Sequence, residues 1–156
     1  MKVLFLCTAN SCRSILSEAV FNHLASHQHQ AFSAGSAPKG FVHPLTLATL
    51  ERHGIATQGL HSKSSDVHAD LSPDVVITVC DKAAGESCPI FFGPAIKAHW
   101  GLSDPSDVLG SPEDVDQAFD RTLLHIWQRI QALLALPLGD MSPEQLKTEL
   151  DRIGSL

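Results

Sequence analysis

The stretch KVLFLCTANSCRSILSEAVFNHL, residues 2–24, decides how the rest of the chain is read. Lys2 to Leu6 is short and nearly all apolar, the pattern of a buried parallel strand rather than of a helix. From Ser14 onward Ile15, Leu16, Ala19, Val20, Phe21 and Leu24 recur at helical spacing, with Glu18, Asn22 and His23 between them. A buried strand, a polar loop and an amphipathic helix in direct succession are the opening of an α/β domain.

The alternation continues outward from this unit. Gln30 to Ser33 reads as a short strand closing at Ala34-Gly35, and Pro44 to His53 as a helix stopped by Gly54. Asp74 to Cys80, with Val75, Val76, Ile77 and Val79, carries the strongest strand signal and is predicted to be central. Ala95 to Trp100 is a further strand. Ser111-Pro112-Glu113-Asp114 opens a helix with a capping serine, a proline in the first turn and acids at the positive dipole end. Val115, Phe119, Leu123, Ile126 and Ile130 mark its buried face. Ser142-Pro143-Glu144-Gln145 starts a last helix ending at Gly154, whose Leu146, Leu150 and Ile153 need something to cover. The expected fold is α/β, a doubly wound and mainly parallel four-stranded sheet flanked by helices, forming one domain over residues 1–156 with an extension over 137–156.

At 156 residues and 44% hydrophobic, the chain can bury a sizeable core without disulfides. A net charge of −6 and a pI near 5.8 argue against nucleic-acid and anionic-membrane partners, which call for clustered Lys and Arg. The apolar run at the N-terminus is too short for a signal-peptide core, so a cytoplasmic location is expected. In a reducing compartment the four cysteines are better read as catalytic, redox-active, metal-binding or buried than as structural disulfides.

In a doubly wound sheet the ligand site lies beyond the carboxyl ends of the strands, where the first strand delivers Cys7 and the central strand delivers Cys80. The loop Cys7-Thr8-Ala9-Asn10-Ser11-Cys12-Arg13-Ser14 joins strand to helix, so its backbone N–H groups can form an anion-binding nest. A cysteine at a helix N-terminus beside a guanidinium is favoured as the nucleophilic thiolate, which makes Cys7 a nucleophile candidate. Arg13 can turn its planar fork toward two oxygens of a bound anion, and Ser14 can donate to the sulfur. The bland alternative is a buried cysteine at a strand end with an unrelated arginine nearby.

C-T-A-N-S-C-R-S after a strand resembles the Cys-x5-Arg-Ser loop of the low-molecular-weight protein tyrosine phosphatases and of the thioredoxin-coupled arsenate reductases built on the same fold. The likeness includes Ser33-Ala34-Gly35, the segment from Cys80 to Cys88-Pro89, and His99-Trp100-Gly101 followed by Asp104-Pro105. The tail beyond Pro137 falls outside it. The resemblance implies a low-molecular-weight tyrosine phosphatase-like fold, attack on an oxyanion by Cys7 and protonation of the leaving oxygen by Asp104. By itself Asp-Pro is also a common turn dipeptide.

Two features separate the activities within this resemblance. The phosphatases place aromatic residues after the Asp-Pro pair, whereas this chain has Ser106 and Asp107 there and no tyrosine anywhere. The reductases carry a cysteine pair after the central strand, matched here by Cys80 and Cys88, and the resemblance implies a Cys7 to Cys80 disulfide followed by a Cys80 to Cys88 one. Cys12 stands outside this relay. The implied substrate is arsenate, with phosphate and sulfate as mimics. Thioredoxin is the implied electron donor and glutaredoxin the alternative. No tightly bound cofactor is implied, although in some of these reductases a potassium ion supports the loop, at positions matching Asn10, Glu18, Ser33 and Asp66. Phosphomonoester hydrolysis is the alternative activity, and a zinc or metal-binding module the non-enzymatic one. The intervals from Cys7 to Cys12 and from Cys80 to Cys88 match no paired zinc knuckle. His99, beside Trp100, reads as a packing residue.

Overall fold

The computed structural model describes residues 1–91 and 93–156. Four strands form one sheet: β1 (Lys2–Cys7), β2 (Gln30–Gly35), β3 (Val75–Thr78) and β4 (Ile96–His99). Their order is β2-β1-β3-β4, and every neighbouring pair is parallel. The helices are α1 (Arg13–Leu24), α2 (Pro44–Arg52), α3 (Pro112–Leu134) and α4 (Pro143–Gly154). The sheet is thus parallel throughout, with β1 at its centre, as the apolar run of residues 3–7 requires of a strand buried on both sides.

The strand order reverses direction between β1 and β3, and that switch point places the loops after both strands over one crevice. β3 is shorter than the valine-rich run suggested. Val79 still donates its N–H to the Leu6 carbonyl at 2.9 Å, but Cys80 turns out of the ladder toward Cys88. β2 runs on to Gly35, because Gly35 pairs with Cys7.

Alternate strand residues face two different layers. Val3, Phe5, Cys7, Val75, Ile77 and Val79 join one core with buried residues of α1, α2, α3 and α4. Leu4, Leu6, Ala34 and Val76 face the other way and are met by Phe32, Phe91 and Ala95. The main core is closed at its centre by Phe5 against Phe21 and Trp100, with ring centroids 6.2 and 6.3 Å apart.

The capping expected of the last two helices is present. Ser111 and Asp114 form a reciprocal capping box at α3, and Ser142 and Gln145 do the same at α4. Phe119, Leu123, Ile126 and Ile130 of α3 are buried, while Val115, nearest the helix start, is only partly so. α4 docks rather than frays. Leu150 and Ile153 are fully buried, and the indole Nε1–H of Trp100 donates to the Leu150 carbonyl at 2.9 Å. A Cβ at Gly154 would press on the His99 carbonyl and the Trp100 ring, so the helix end sits directly on β4.

Truncating Leu150 to alanine removes a fully enclosed side chain from this junction, at an expected cost of about 2–5 kcal/mol. Calorimetry should show the melting temperature falling by about 5–15 °C for a chain of this size. An unchanged melting temperature would mean that α4 adds nothing to the core.

Candidate active site

The loop after β1 is held from outside by its own carbonyls. Those of Cys7, Thr8, Ala9 and Ser11 accept backbone N–H groups from Ser36, Ala37, Lys39 and His43 at 2.9–3.2 Å. With the C=O groups turned outward, the peptide N–H groups that follow them turn into the loop. Gly35 makes the close approach possible, because a Cβ there would collide with the Thr8 carbonyl.

Asn10 organises the interior. It is fully buried with φ +47°, a left-handed conformation that asparagine tolerates better than most residues. Its Oδ1 accepts the Lys63 N–H at 2.9 Å, which orients the amide, and its Nδ2 donates to Ser14 Oγ at 2.8 Å and to Ser33 Oγ at 3.0 Å. Because Ser14 Oγ accepts from Asn10, its own proton is available to Cys7 Sγ, 2.9 Å away. The Asn10 N–H donates to the same sulfur at 3.1 Å. Cys7 is therefore a buried sulfur that receives the Asn10 N–H and shares a hydrogen bond with the Ser14 hydroxyl.

Arg13 begins α1 and is buried, as expected of an anion-binding arginine, but its fork is already engaged. Nη1 donates to Glu86 Oε2 at 2.6 Å and to the Leu102 carbonyl at 3.0 Å. Nη2 donates to Glu86 Oε1 at 2.7 Å and faces Asp104 Oδ2 at 3.5 Å. Burial works against the Arg13 charge, yet the bonds to Glu86 and the nearby Asp104 carboxylate outweigh it and raise its pKa. In turn Arg13 holds the Glu86 carboxyl below the usual carboxylate range.

Asp104 lies beside Arg13 at the end of the loop. Its Oδ1 accepts the N–H and the hydroxyl of Ser106 at 2.9 and 2.7 Å, which leaves Oδ2 pointing at the loop. Cys12 lies within the loop, and burial pushes its thiol pKa up, consistent with a place outside the chemistry. Thr8 hangs over the rim, its hydroxyl donating to the Ser87 carbonyl at 3.1 Å.

Cys80 and Cys88 are joined in a disulfide, with Cα atoms 5.8 Å apart. Cys80 is fully buried at the end of β3, and Cys88 is partly exposed. Between them a single helical turn over Lys82–Ala84 is closed by Gly85 at φ +82°. His99 brings a ring nitrogen within 4.8 Å of both sulfurs, and its Nδ1 shares a 2.8 Å hydrogen bond with Thr78. Burial, then the charges of Lys82 and Arg129, lower its pKa and keep the ring neutral at pH 7. The residue expected merely to pack thus lies beside the disulfide.

The potassium set is only partly assembled. Glu18 accepts from the Ser33 hydroxyl at 2.5 Å and Ser33 accepts from Asn10, but exposed Asp66 takes no part. Buried Lys63 takes the place a cation would need, its Nζ 3.2 Å from Ser33 Oγ, 2.8 Å from the His61 carbonyl and 3.6 Å from Glu18 Oε1. The residues present do not fit a potassium ion beside that ammonium. Among the described residues one His, Cys and carboxylate group has metal-ligand proximity, Cys80 with Cys88 and His99, and two of its sulfurs are bonded to each other. Neither Glu86 nor Lys63 was singled out from the sequence. Glu86 lay in plain view between the two cysteines, whereas nothing around Lys63 marks it.

The chain matches the low molecular weight phosphotyrosine protein phosphatase family over residues 2–151, which carries the likeness into α4 and past the Pro137 limit read from the sequence. It is 33% identical over 132 residues to the arsenate reductase of Shouchella clausii, covering 83% of this chain and 91% of that one. The crystal structure of arsenate reductase from Archaeoglobus fulgidus superposes with a TM-score of 0.71 at 25% identity, over 86% of this chain and 99% of that one. A thioredoxin-dependent arsenate reductase of Corynebacterium glutamicum gives 0.56 at 29% identity, over 83% of this chain and 61% of that one.

Replacing Lys63 by methionine leaves the enclosed Glu18 carboxylate without a countercharge, and urea denaturation should register a loss of about 3–5 kcal/mol. Potassium chloride, compared with a large organic cation at equal ionic strength, should restore part of that stability in Lys63→Met and none in the wild type. An equal potassium response in both proteins would show that the ammonium does not stand in for the ion.

Proposed function

The chain belongs to the low molecular weight phosphotyrosine protein phosphatase family, and within it we propose that it reduces arsenate to arsenite, drawing electrons through Cys80 and Cys88 from thioredoxin. The observation that carries this reading is the Cys80–Cys88 disulfide on the segment that leans over the oxyanion loop. Phosphomonoester hydrolysis needs a nucleophile, an arginine and an acid, and leaves such a pair without a role. The likeness to arsenate reductases, one of them thioredoxin-dependent, supports the same reading. Glutaredoxin is the alternative donor.

In this mechanism arsenate enters the nest as an oxyanion, held by the loop N–H groups and by the Arg13 fork. Cys7 Sγ attacks arsenic, and Asp104 gives its proton to the departing oxygen, which leaves as water. Cys80, as thiolate, then attacks the Cys7 sulfur. The Cys7–As bond breaks, its electron pair stays on arsenic, and arsenite departs as As(III) while a Cys7–Cys80 disulfide forms. Cys88 attacks Cys80, returning Cys7 with the Ser14 and Asn10 hydrogen bonds that favour it as a leaving group. The product is the Cys80–Cys88 disulfide, and an external dithiol reduces it, supplying the two electrons that arsenic has received.

The coupled assay follows NADPH consumption with thioredoxin and thioredoxin reductase, started by arsenate. Cys7→Ser, Cys80→Ser and Cys88→Ser should each abolish multiple turnover, and Asp104→Asn should lower kcat by about 10²–10⁴-fold. If Cys80→Ser and Cys88→Ser both turn over arsenate at the wild-type rate, the relay is wrong. If the wild type hydrolyses an aryl phosphate but consumes no NADPH with arsenate, the chain is a phosphatase.

A further inference from the structure

The segment closed by the disulfide does more than carry sulfur. Glu86 lies two positions before Cys88, and both its carboxylate oxygens are bound by Arg13, at 2.6 and 2.7 Å. Oε2 also accepts the Asp81 N–H at 2.8 Å, and Ser87 accepts the Thr8 hydroxyl. Four hydrogen bonds therefore clasp the Cys80–Cys88 loop, the first two across the mouth of the anion nest. A carboxylate is the natural bidentate partner of a guanidinium, and here it uses the same two nitrogens that would grip a tetrahedral oxyanion. Tied into a short closed loop, it competes at a high effective concentration.

We propose that Glu86 is a resident anion that closes the site while Cys80 and Cys88 are joined, so that arsenate or phosphate binds only after the disulfide is reduced. This rests on the arsenate reductase reading for its purpose. A molecule whose relay is spent would otherwise form a Cys7–arsenate adduct with no thiol to finish the reaction. Opening requires a dithiol reductant, which gives two electrons and two protons to the Cys80–Cys88 bond, yields two thiols and is itself oxidised to a disulfide. With the cross-link gone, the loop is no longer held at the length that presents Glu86 to Arg13, and the guanidinium is returned to the nest.

Titration calorimetry with inorganic phosphate tests this without turnover. Oxidised wild type, with the Cys80–Cys88 link and free Cys7 and Cys12 verified by peptide mapping, is compared with protein reduced by dithiothreitol. Reduction should tighten phosphate binding by about tenfold or more. Oxidised Glu86→Gln should bind within about threefold of reduced wild type, since the amide keeps the shape and loses the charge. Glu86→Ala should do the same, and covers a failure of the first variant to fold. The Cys80→Ser, Cys88→Ser double variant should bind equally with and without dithiothreitol. The proposal is overturned if oxidised and reduced wild type bind phosphate alike, or if both Glu86 variants, folded and oxidised, bind as weakly as oxidised wild type. A protein that shows the redox-dependent isotherms but reduces no arsenate keeps the plug and loses the assigned reaction. One that reduces arsenate with redox-independent isotherms does the reverse.

Discussion

Everything at the catalytic end of this molecule depends on one buried amide. Asn10 accepts the Lys63 N–H and donates to two serines, and each serine passes a hydrogen bond onward, Ser14 to Cys7 and Ser33 to Glu18. The Lys63 N–H and the Asn10 amide donate, both serines accept, Ser33 donates on to the Glu18 carboxylate and Ser14 shares a bond with the Cys7 sulfur. Since an unpaired buried polar group is costly, the network resists partial disruption, which keeps the loop in shape before any anion arrives. The left-handed backbone at Asn10 is strain that this network holds in place.

The strand and helix pattern was largely legible from residues alone. Lys2 to Leu6 and the valines of 75–79 announce central strands because both faces of a parallel sheet are covered, and Ser111 and Ser142 announce helix starts through capping chemistry. Register was less legible. β3 ends at Thr78, short of Cys80, which is bonded to a residue eight positions on, a link invisible to local periodicity. The docking of α4 could be suspected from Leu146, Leu150 and Ile153, but the Trp100 indole that receives it comes from a distant strand end.

The candidate site divides along a similar line. Cys7 and Arg13 could be named as nucleophile and anion-clamp candidates because a short motif displays that chemistry, whereas Asp104 was named as an acid only through the family resemblance. The partners of those groups could not. Lys63 sits in a polar, featureless stretch and meets Glu18 only when the 61–64 strip is laid beside β2. Glu86 was visible as an acid between two cysteines, but its meeting with Arg13 spans 73 positions and depends on the closed loop. First contacts with substrate are written in residue types, whereas the contacts that modulate them are written in tertiary geometry.

The position of β1 in the middle of the sheet has a consequence for the order in which the molecule is made. The strand is made before its two neighbours, so one edge waits for β2 and the other for β3, whose last residue is Thr78. Such non-local parallel pairing is slow to form, because the intervening chain must be ordered first. Until then the growing polypeptide carries two cysteines, Cys7 and Cys12, with neither the Asn10 lattice nor the hydrophobic layer around them. The residues through Thr78 must leave the ribosome before Cys7 acquires its shelter, so the nascent protein passes through an interval in which that thiol is exposed and oxidisable.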